Sequence, residues 1–172
     1  EIKKLIAHGI NKNKKKHFWN READLAGHNY RLPNHLAGLG ISQFRQLSKF
    51  NKLRKKIAKK YDNFFKKLSD KFHVQKVNSN LTHSYQMYSI LINSKYRNKL
   101  LYYLKKNNIE ASVHFDPPLH QQKYLKKYYK KLQNTEKLAK EIITLPIYPR
   151  LKQRDLNRIF KVIKIWYKKN KK

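Results

Sequence analysis

The sequence predicts an α+β fold: a long amphipathic helix followed by a small, mostly antiparallel sheet with helices packed on one face. Two observations carry this prediction. Apolar residues recur every three or four positions from Phe44 to Leu68, while Lys and Arg fill most other positions, which is typical of an amphipathic helix. After residue 80, short segments rich in aromatic and β-branched residues alternate with helical patterns, which is typical of a sheet covered by helices.

The chain begins with a short helical pattern. Its apolar residues are Ile2, Leu5 and Ile6, and we expect it to end at Gly9 because glycine commonly terminates helices. Residues 11–16 are polar and basic, which predicts a loop.

The stretch from Gly27 to Arg31 precedes the long helix. It concentrates an amide, a phenol and a guanidinium within three residues, so it presents polar chemistry at a helix entrance. Pro33 suits the first turn of the helix, where a missing N–H costs nothing, and Asn34 can help to cap it. Gly38 and Gly40 leave little side-chain bulk, which predicts a close approach by another backbone.

The middle of the chain predicts two strands around a helix. Residues 70–80 have no clear period and predict a short strand and a loop, and residues 84–92 predict a longer strand. Residues 96–104 predict a helix, and Asn108 suits the left-handed position after its end. Residues 111–115 predict a further strand.

Prolines shape the segments that follow. Pro117 and Pro118 force a stiff extended turn that carries His120 away from the sheet. Residues 124–132 predict a short helix or an irregular turn. Residues 145–149 predict a short extended segment, whose prolines suit only a sheet edge or exit.

Two further helices complete the pattern. We expect Thr135 to cap the first of them, with Glu136 in its first turn and an apolar side that runs to Ile143. We expect Asp155 to cap the last helix, and the Lys-rich end to be a solvated tail.

The composition is strongly basic, with 42 Lys and Arg against 10 Asp and Glu and a formal net charge of +32. This charge favours binding to polyanions. The lysines are spread over nearly every segment and do not form one stripe, so nonspecific association is the simpler interpretation. The chain has no cysteine, which excludes disulfides and thiolate metal sites and fits a cytoplasmic setting. The sequence shows no metal-ligand spacing, no apolar run long enough to span a membrane and no signal peptide.

Six short motifs occur in a fixed order along the chain. They are His8-Gly9-Ile10, Gly27-His28-Asn29-Tyr30-Arg31, Ala37 through Gln43, Ser84 through Tyr88, Val113-His114-Phe115 with Pro118-Leu119-His120, and Leu145 through Pro149. As an ordered set they resemble the C-terminal part of the DegT-type family of pyridoxal-phosphate-dependent sugar aminotransferases, which act on nucleotide-linked keto sugars. The resemblance implies the small C-terminal domain of a fold-type I aminotransferase and pyridoxal 5'-phosphate as cofactor.

The resemblance also implies roles for single residues. Family active sites form at a homodimer interface, and the family's loop Asn, here Asn29, reaches the cofactor phosphate of the neighbouring subunit. Arg31 orients this loop or meets phosphates. Tyr30, His114 and His120 are the candidates for substrate binding, with packing as the other role for each. Phe115 stands where the family usually has Tyr.

The resemblance predicts four segments along the chain. Residues 1–32 are a remnant of the large cofactor domain, 33–69 a connecting helix, 70–168 the small domain and 169–172 a basic tail. The family's Schiff-base lysine lies upstream of the matching region, so we expect this chain alone to be inactive as an aminotransferase. Two alternatives stay open: a basic module that binds nucleic acid or other polyanions, and an inactive degenerate fragment.

Overall fold

A computed structural model of the 172-residue chain describes residues 1–10, 23–68 and 71–170. Five α-helices and three strands are present in this part of the chain. They are α1 (Ile2–Leu5), α2 (Asn34–Leu68), β1 (His73–Val74), β2 (Tyr88–Leu91), α3 (Ser94–Lys106), α4 (Gln133–Glu141), β3 (Ile142–Leu145) and α5 (Gln153–Lys169). Two 3-10 helices, Leu119–Gln121 and Lys123–Tyr128, precede α4. No helix among these residues is long and apolar enough to cross a membrane.

The chain divides into two compact units, Glu1–Leu47 and Ser48–Lys172. The sequence predicted a boundary between the connecting helix and the small domain at residues 69 and 70, which lie outside the described residues. The loop predicted for residues 11–16 and the last two residues of the predicted tail lie outside them as well. The four-segment division therefore stays a prediction.

The sequence predicted a small, mostly antiparallel sheet, and the three-stranded sheet among the described residues is antiparallel throughout. Its order is β1-β2-β3, so β2 lies in the centre. His73 is opposite Leu91 on one side, and Ile90 is opposite Ile143 on the other. Burial of Tyr88 and Ile90 alternates with partial exposure of their neighbours, which is the pattern of a strand with one face turned to the core.

The core of the second unit lies between this sheet and the helices. Tyr61 of α2 is fully buried, and its ring stacks on Tyr88 with centroids 4.6 Å apart. Phe160 of α5 meets the same Tyr61 ring edge-on at 5.5 Å, an arrangement that adds to the stabilisation from buried area. The other large, fully buried side chains come from α2, the sheet, α3 and α5: Phe65, Ile90, Leu100, Leu104, Ile143, Leu145, Leu156 and Ile163.

The helices confirm the periodic patterns but correct several of the expected ends. Helix α1 stops at Leu5, before the expected Gly9, and α2 begins at Asn34. Pro33 directly precedes α2, and its carbonyl accepts a hydrogen bond from the Ala37 N–H at 2.9 Å. The proline thus lies one position before the first turn.

The expected side-chain caps of the last two helices are wrong. Helix α4 begins at Gln133 after Leu132, and α5 begins at Gln153 after Lys152; neither N-cap residue makes a side-chain cap hydrogen bond. Thr135 and Asp155 lie inside the first turns instead. Helix α3, by contrast, has an unpredicted cap, because the Asn93 side chain accepts a hydrogen bond from the Lys95 N–H at 3.1 Å.

Three predicted strands also differ from the structure. The one predicted for residues 84–92 is shorter, because only Tyr88–Leu91 form β2. Residues 111–115 form only a bridge, in which Ser112 and Thr144 exchange backbone hydrogen bonds of 3.0 and 2.8 Å. The chain turns at His114 and Phe115, which ends the pairing. The extended segment near residue 145 begins earlier than expected, at Ile142, because α4 ends at Glu141.

Candidate functional site

Backbone hydrogen bonds hold the Asn-Tyr-Arg loop of the first unit. The His28 N–H donates to the Leu5 carbonyl at 2.7 Å, and the Tyr30 N–H donates to the Ile6 carbonyl at 3.1 Å. The His8 N–H donates back to the His28 carbonyl at 3.1 Å. Residues 5–8 and 28–30 therefore run side by side, and backbone hydrogen bonds hold the loop against the first residues of the chain.

Two glycines make this close contact possible. Gly9 has a φ of +75°, which disfavours residues with a Cβ, and a Cβ there would lie 1.7 Å from the Leu25 carbonyl oxygen. A Cβ on Gly27 would lie 2.2 Å from the Gly9 nitrogen. An ion pair of 2.7 Å between Lys4 and Asp24 joins the same two segments. The two backbones are thus in direct contact.

The side chains of this loop face solvent within their unit. Asn29 forms an antiparallel bridge with Ala7, and its side chain is exposed. Tyr30 is 69% exposed and stacks on the His28 ring at 4.7 Å. Arg31 is exposed as well. An amide and a guanidinium on a fixed backbone are donors that suit a phosphate group, so the donor set fits the phosphate end of the implied cofactor.

His114, in the second unit, belongs to a chain of polar contacts. Its Nδ1 lies 3.1 Å from the Thr144 hydroxyl, which lies 3.1 Å from the Ser89 hydroxyl. Thr144 is buried, whereas Phe115, beside the histidine, is 69% exposed. The hydroxyl chain fixes the His114 ring against the edge of the sheet.

His120 is packed against α4. Its Nε2 lies 3.2 Å from the Glu136 carboxylate, and its ring stacks on Tyr129 at 5.9 Å. The same carboxylate oxygen accepts the Leu132 N–H at 3.1 Å. This backbone hydrogen bond, followed by the one to His120, lowers the pKa of Glu136. The structure thus gives His114 and His120 separate partners, and both rings have a packing role.

The sequence interpretation overlooked Arg97. This residue is only 9% exposed, and its guanidinium donates to Asp116 at 2.6 Å and to the carbonyls of Lys140 and Ala139 at 3.0 and 3.2 Å. It therefore ties the turn after His114 to the end of α4. A signal was available, because Arg97 precedes the buried Leu100 and Leu104 at helical spacing and so lies on the apolar face of α3.

Residues that could hold a metal ion do not cluster: no group of three or more His, Asp or Glu side chains within residues 1–10, 23–68 and 71–170 is arranged for one.

Two known proteins are similar in sequence to this chain over most of its length. A protein of Methanocaldococcus jannaschii is 32% identical over 95% of this chain and 45% of its own length. The UDP-4-amino-4,6-dideoxy-N-acetyl-beta-L-altrosamine transaminase of Campylobacter jejuni is 29% identical over 90% of this chain and 41% of its own length. The chain thus spans less than half the length of these relatives.

A solved structure and a family model also match nearly the whole of this chain. Helicobacter pylori PseC, an aminotransferase involved in the biosynthesis of pseudoaminic acid, matches 98% of this chain and 45% of its own chain, with a TM-score of 0.85 and 25% identity. The model of the DegT/DnrJ/EryC1/StrS aminotransferase family matches residues 1–164. The chain belongs to the DegT/DnrJ/EryC1/StrS aminotransferase family.

Proposed function

We propose that this chain is the C-terminal part of a pyridoxal-phosphate-dependent aminotransferase. The enzyme moves an amino group from glutamate or glutamine to a nucleotide-linked keto sugar, for surface polysaccharide or amino-sugar synthesis. The observation that carries this proposal is that Asn29 and Arg31 are both exposed. They lie in or beside a backbone segment that is hydrogen-bonded to residues 5–8 and closely packed at Gly9 and Gly27. The chain that carries them is a member of an aminotransferase family.

The cofactor, when bound, supplies the carbonyl chemistry that carries the amino group between donor and acceptor. This chain's part is binding. The Asn29 side-chain amide donates a hydrogen bond to the cofactor phosphate held by a neighbouring subunit in a homodimer, and Arg31 adds positive charge beside it. The fixed backbone of residues 28–30 supports this role, because a donor that is already positioned loses little conformational entropy on binding.

His114 and His120 are proposed to lie near the sugar nucleotide. The Nδ1 of His114 is committed to Thr144, so Nε2 is the nitrogen through which it meets a substrate. The Nε2 of His120 lies within hydrogen-bonding distance of Glu136. Its main contribution is therefore to hold the turn after Pro117 and Pro118 in place beside the proposed substrate. Tyr30, 69% exposed, offers a ring face and a hydroxyl to the substrate. A cytoplasmic setting, expected from the lack of cysteine, stays a prediction.

The test uses the protein expressed from the complete reading frame that encodes this chain. Amino transfer from glutamate or glutamine to a nucleotide-linked keto sugar is followed by mass spectrometry, and cofactor affinity by visible absorbance. In the variant Asn29→Ala we expect the cofactor affinity to fall about 10- to 100-fold, since a hydrogen bond to a charged group contributes about 1.5–3 kcal/mol. The control is Asn78→Ala, which removes an exposed loop amide.

Two results would contradict the proposal. One is unchanged cofactor affinity in Asn29→Ala. The other is a complete protein that transfers no amino group to any nucleotide-linked keto sugar while it still binds the cofactor.

A second candidate function rests on the net charge of +32. A basic module that binds nucleic acid would neutralise several phosphates, so its affinity for DNA would fall steeply as salt concentration rises. Binding of a labelled DNA duplex between 50 and 200 mM salt tests this alternative. Absence of binding at the lower salt concentration would exclude it.

A further inference from the structure

The second unit contains an open cleft of about 740 Å³ along one side of α3. Residues 97, 98, 101, 102 and 105 line it from this helix, and their spacing places them on one side of the helix. Arg97 and Lys105 are eight positions apart, so their Cα atoms are separated by about 12 Å along the helix axis. The cleft is therefore long enough for an extended ligand.

The second wall of the cleft is the chain that leaves α3. Asn108 has a φ of 53°, and its N–H donates to the Lys105 carbonyl at 2.9 Å. This left-handed residue turns the chain out of the helix, and residues 108–112 then line the cleft. Ser112 and Thr144 exchange backbone hydrogen bonds of 3.0 and 2.8 Å. Backbone contacts thus fix both ends of this wall.

Arg97 offers unused hydrogen-bond donors to the cleft. Its Nε and Nη2 donate to Asp116 and to two backbone carbonyls, whereas its Nη1 donates to no described residue. Within the described part of the chain, every buried side-chain nitrogen or oxygen has a partner, so Nη1 reaches open space. The cleft is the open space that Arg97 lines. A largely buried guanidinium is therefore a fixed donor at one end of the cleft.

The charges around the cleft favour a neutral ligand. The Asp116 carboxylate, 2.6 Å from Nη2, already balances the charge of Arg97, so an anion on Nη1 would lie close to a like charge. The other charged lining residues, Lys105 and Glu110, have opposite signs. The Asn98 amide both donates and accepts hydrogen bonds. Sugar hydroxyl groups also do both, whereas an ionised carboxylate or phosphate ester only accepts.

Tyr102 adds an aromatic surface to these polar groups. It lines the cleft and is 73% exposed, so its ring can cover the C–H face of a sugar while its hydroxyl stays free to form hydrogen bonds. From this geometry we infer a binding site for a neutral disaccharide in the cleft between α3 and residues 108–112. This site is additional to the proposed amino transfer and uses none of its residues.

The experiment uses the protein expressed from the complete reading frame that encodes this chain. The cleft variant is Asn98→Ala with Tyr102→Ser, and it keeps Arg97 because loss of this residue would also weaken the fold. The control is Asn78→Ala with Tyr124→Ser, which removes an exposed amide and a 72% exposed phenol outside the cleft. Neither variant changes the net charge. The probes are maltose, cellobiose, lactose and chitobiose, and their binding is followed by saturation-transfer NMR and calorimetry.

We expect at least one of the four disaccharides to bind saturably to the unmodified protein. The cleft variant should bind it about tenfold more weakly, because an aromatic contact and an amide hydrogen bond are lost. The control should bind it within about twofold of the unmodified protein. Unchanged affinity in the cleft variant, equal weakening in both variants, or no saturable binding of any of the four would each overturn the inference. Amino transfer depends on Asn29 and should be unchanged in the cleft variant, so failure of one proposal leaves the other standing.

Discussion

Replacing Arg97 with Met removes a buried guanidinium while keeping an unbranched side chain of similar length. Arg97 serves three acceptors, the Asp116 carboxylate and the carbonyls of Ala139 and Lys140. Each carbonyl left without a donor in a buried position costs about 1–3 kcal/mol. The Asp116 side chain is 40% exposed, so water can replace its lost partner. We expect the free energy of unfolding of the second unit to fall by about 3 kcal/mol, and most of this loss to come from the carbonyls.

The matched variant Asp116→Ala separates these two contributions. It removes the ion pair but leaves Arg97 bonded to both carbonyls, so the expected loss is smaller, about 1–2 kcal/mol, since the guanidinium keeps two of its three acceptors. Urea unfolding followed by circular dichroism measures both variants. With a slope of about 1–3 kcal/mol per molar urea, Arg97→Met should lower the midpoint by about 1–3 M.

A particular result would refute this reasoning. If Asp116→Ala were as destabilising as Arg97→Met, the ion pair and not the helix-end carbonyls would account for the energy of Arg97. A double variant then completes the cycle, and its coupling energy measures the pair alone.

Two further predictions concern the carboxylate and the glycines. Because hydrogen bonding from Leu132 lowers the pKa of Glu136 below its ordinary value of 4.5, its stabilising effect is present above pH 4.5 and is lost as the pH falls through the lowered pKa. Thermal unfolding between pH 6 and 3 should therefore show a steeper acid loss for the unmodified chain than for Glu136→Gln; equal slopes would contradict the assignment. Gly27→Ala should abolish amide-exchange protection in the first unit, since the new Cβ would meet the Gly9 backbone. Gly38→Ala is the control, because a Cβ at Gly38 would have nothing within 4 Å. It should leave that protection intact and raise helicity, since Ala favours a helix by about 1 kcal/mol over Gly. Protection retained in Gly27→Ala would refute the close contact.

The sequence predicted the helices well because their signals are local. The three- and four-residue spacing of apolar residues identified α2, and Asn108 has the expected left-handed backbone, with a φ of 53°. The family resemblance and the Asn29 loop were also readable, because both rest on short motifs in a fixed order. Helix caps were less predictable, since Thr135 and Asp155 have capping chemistry but lie inside helices that each begin two residues earlier.

The sequence by itself determined the fold class, the family and the polar loop before α2. Only the tertiary structure decided that residues 111–115 form a bridge with Thr144 instead of a strand, and that Arg97 joins Asp116 to the end of α4. It also decided that His114 and His120 each have a partner within the fold. The side-chain contacts of Arg97, His114 and His120 join residues 16 to 43 positions apart. They form only when the helices and strands pack together. A helical or strand-like spacing in the sequence does not show which of these distant atoms will meet.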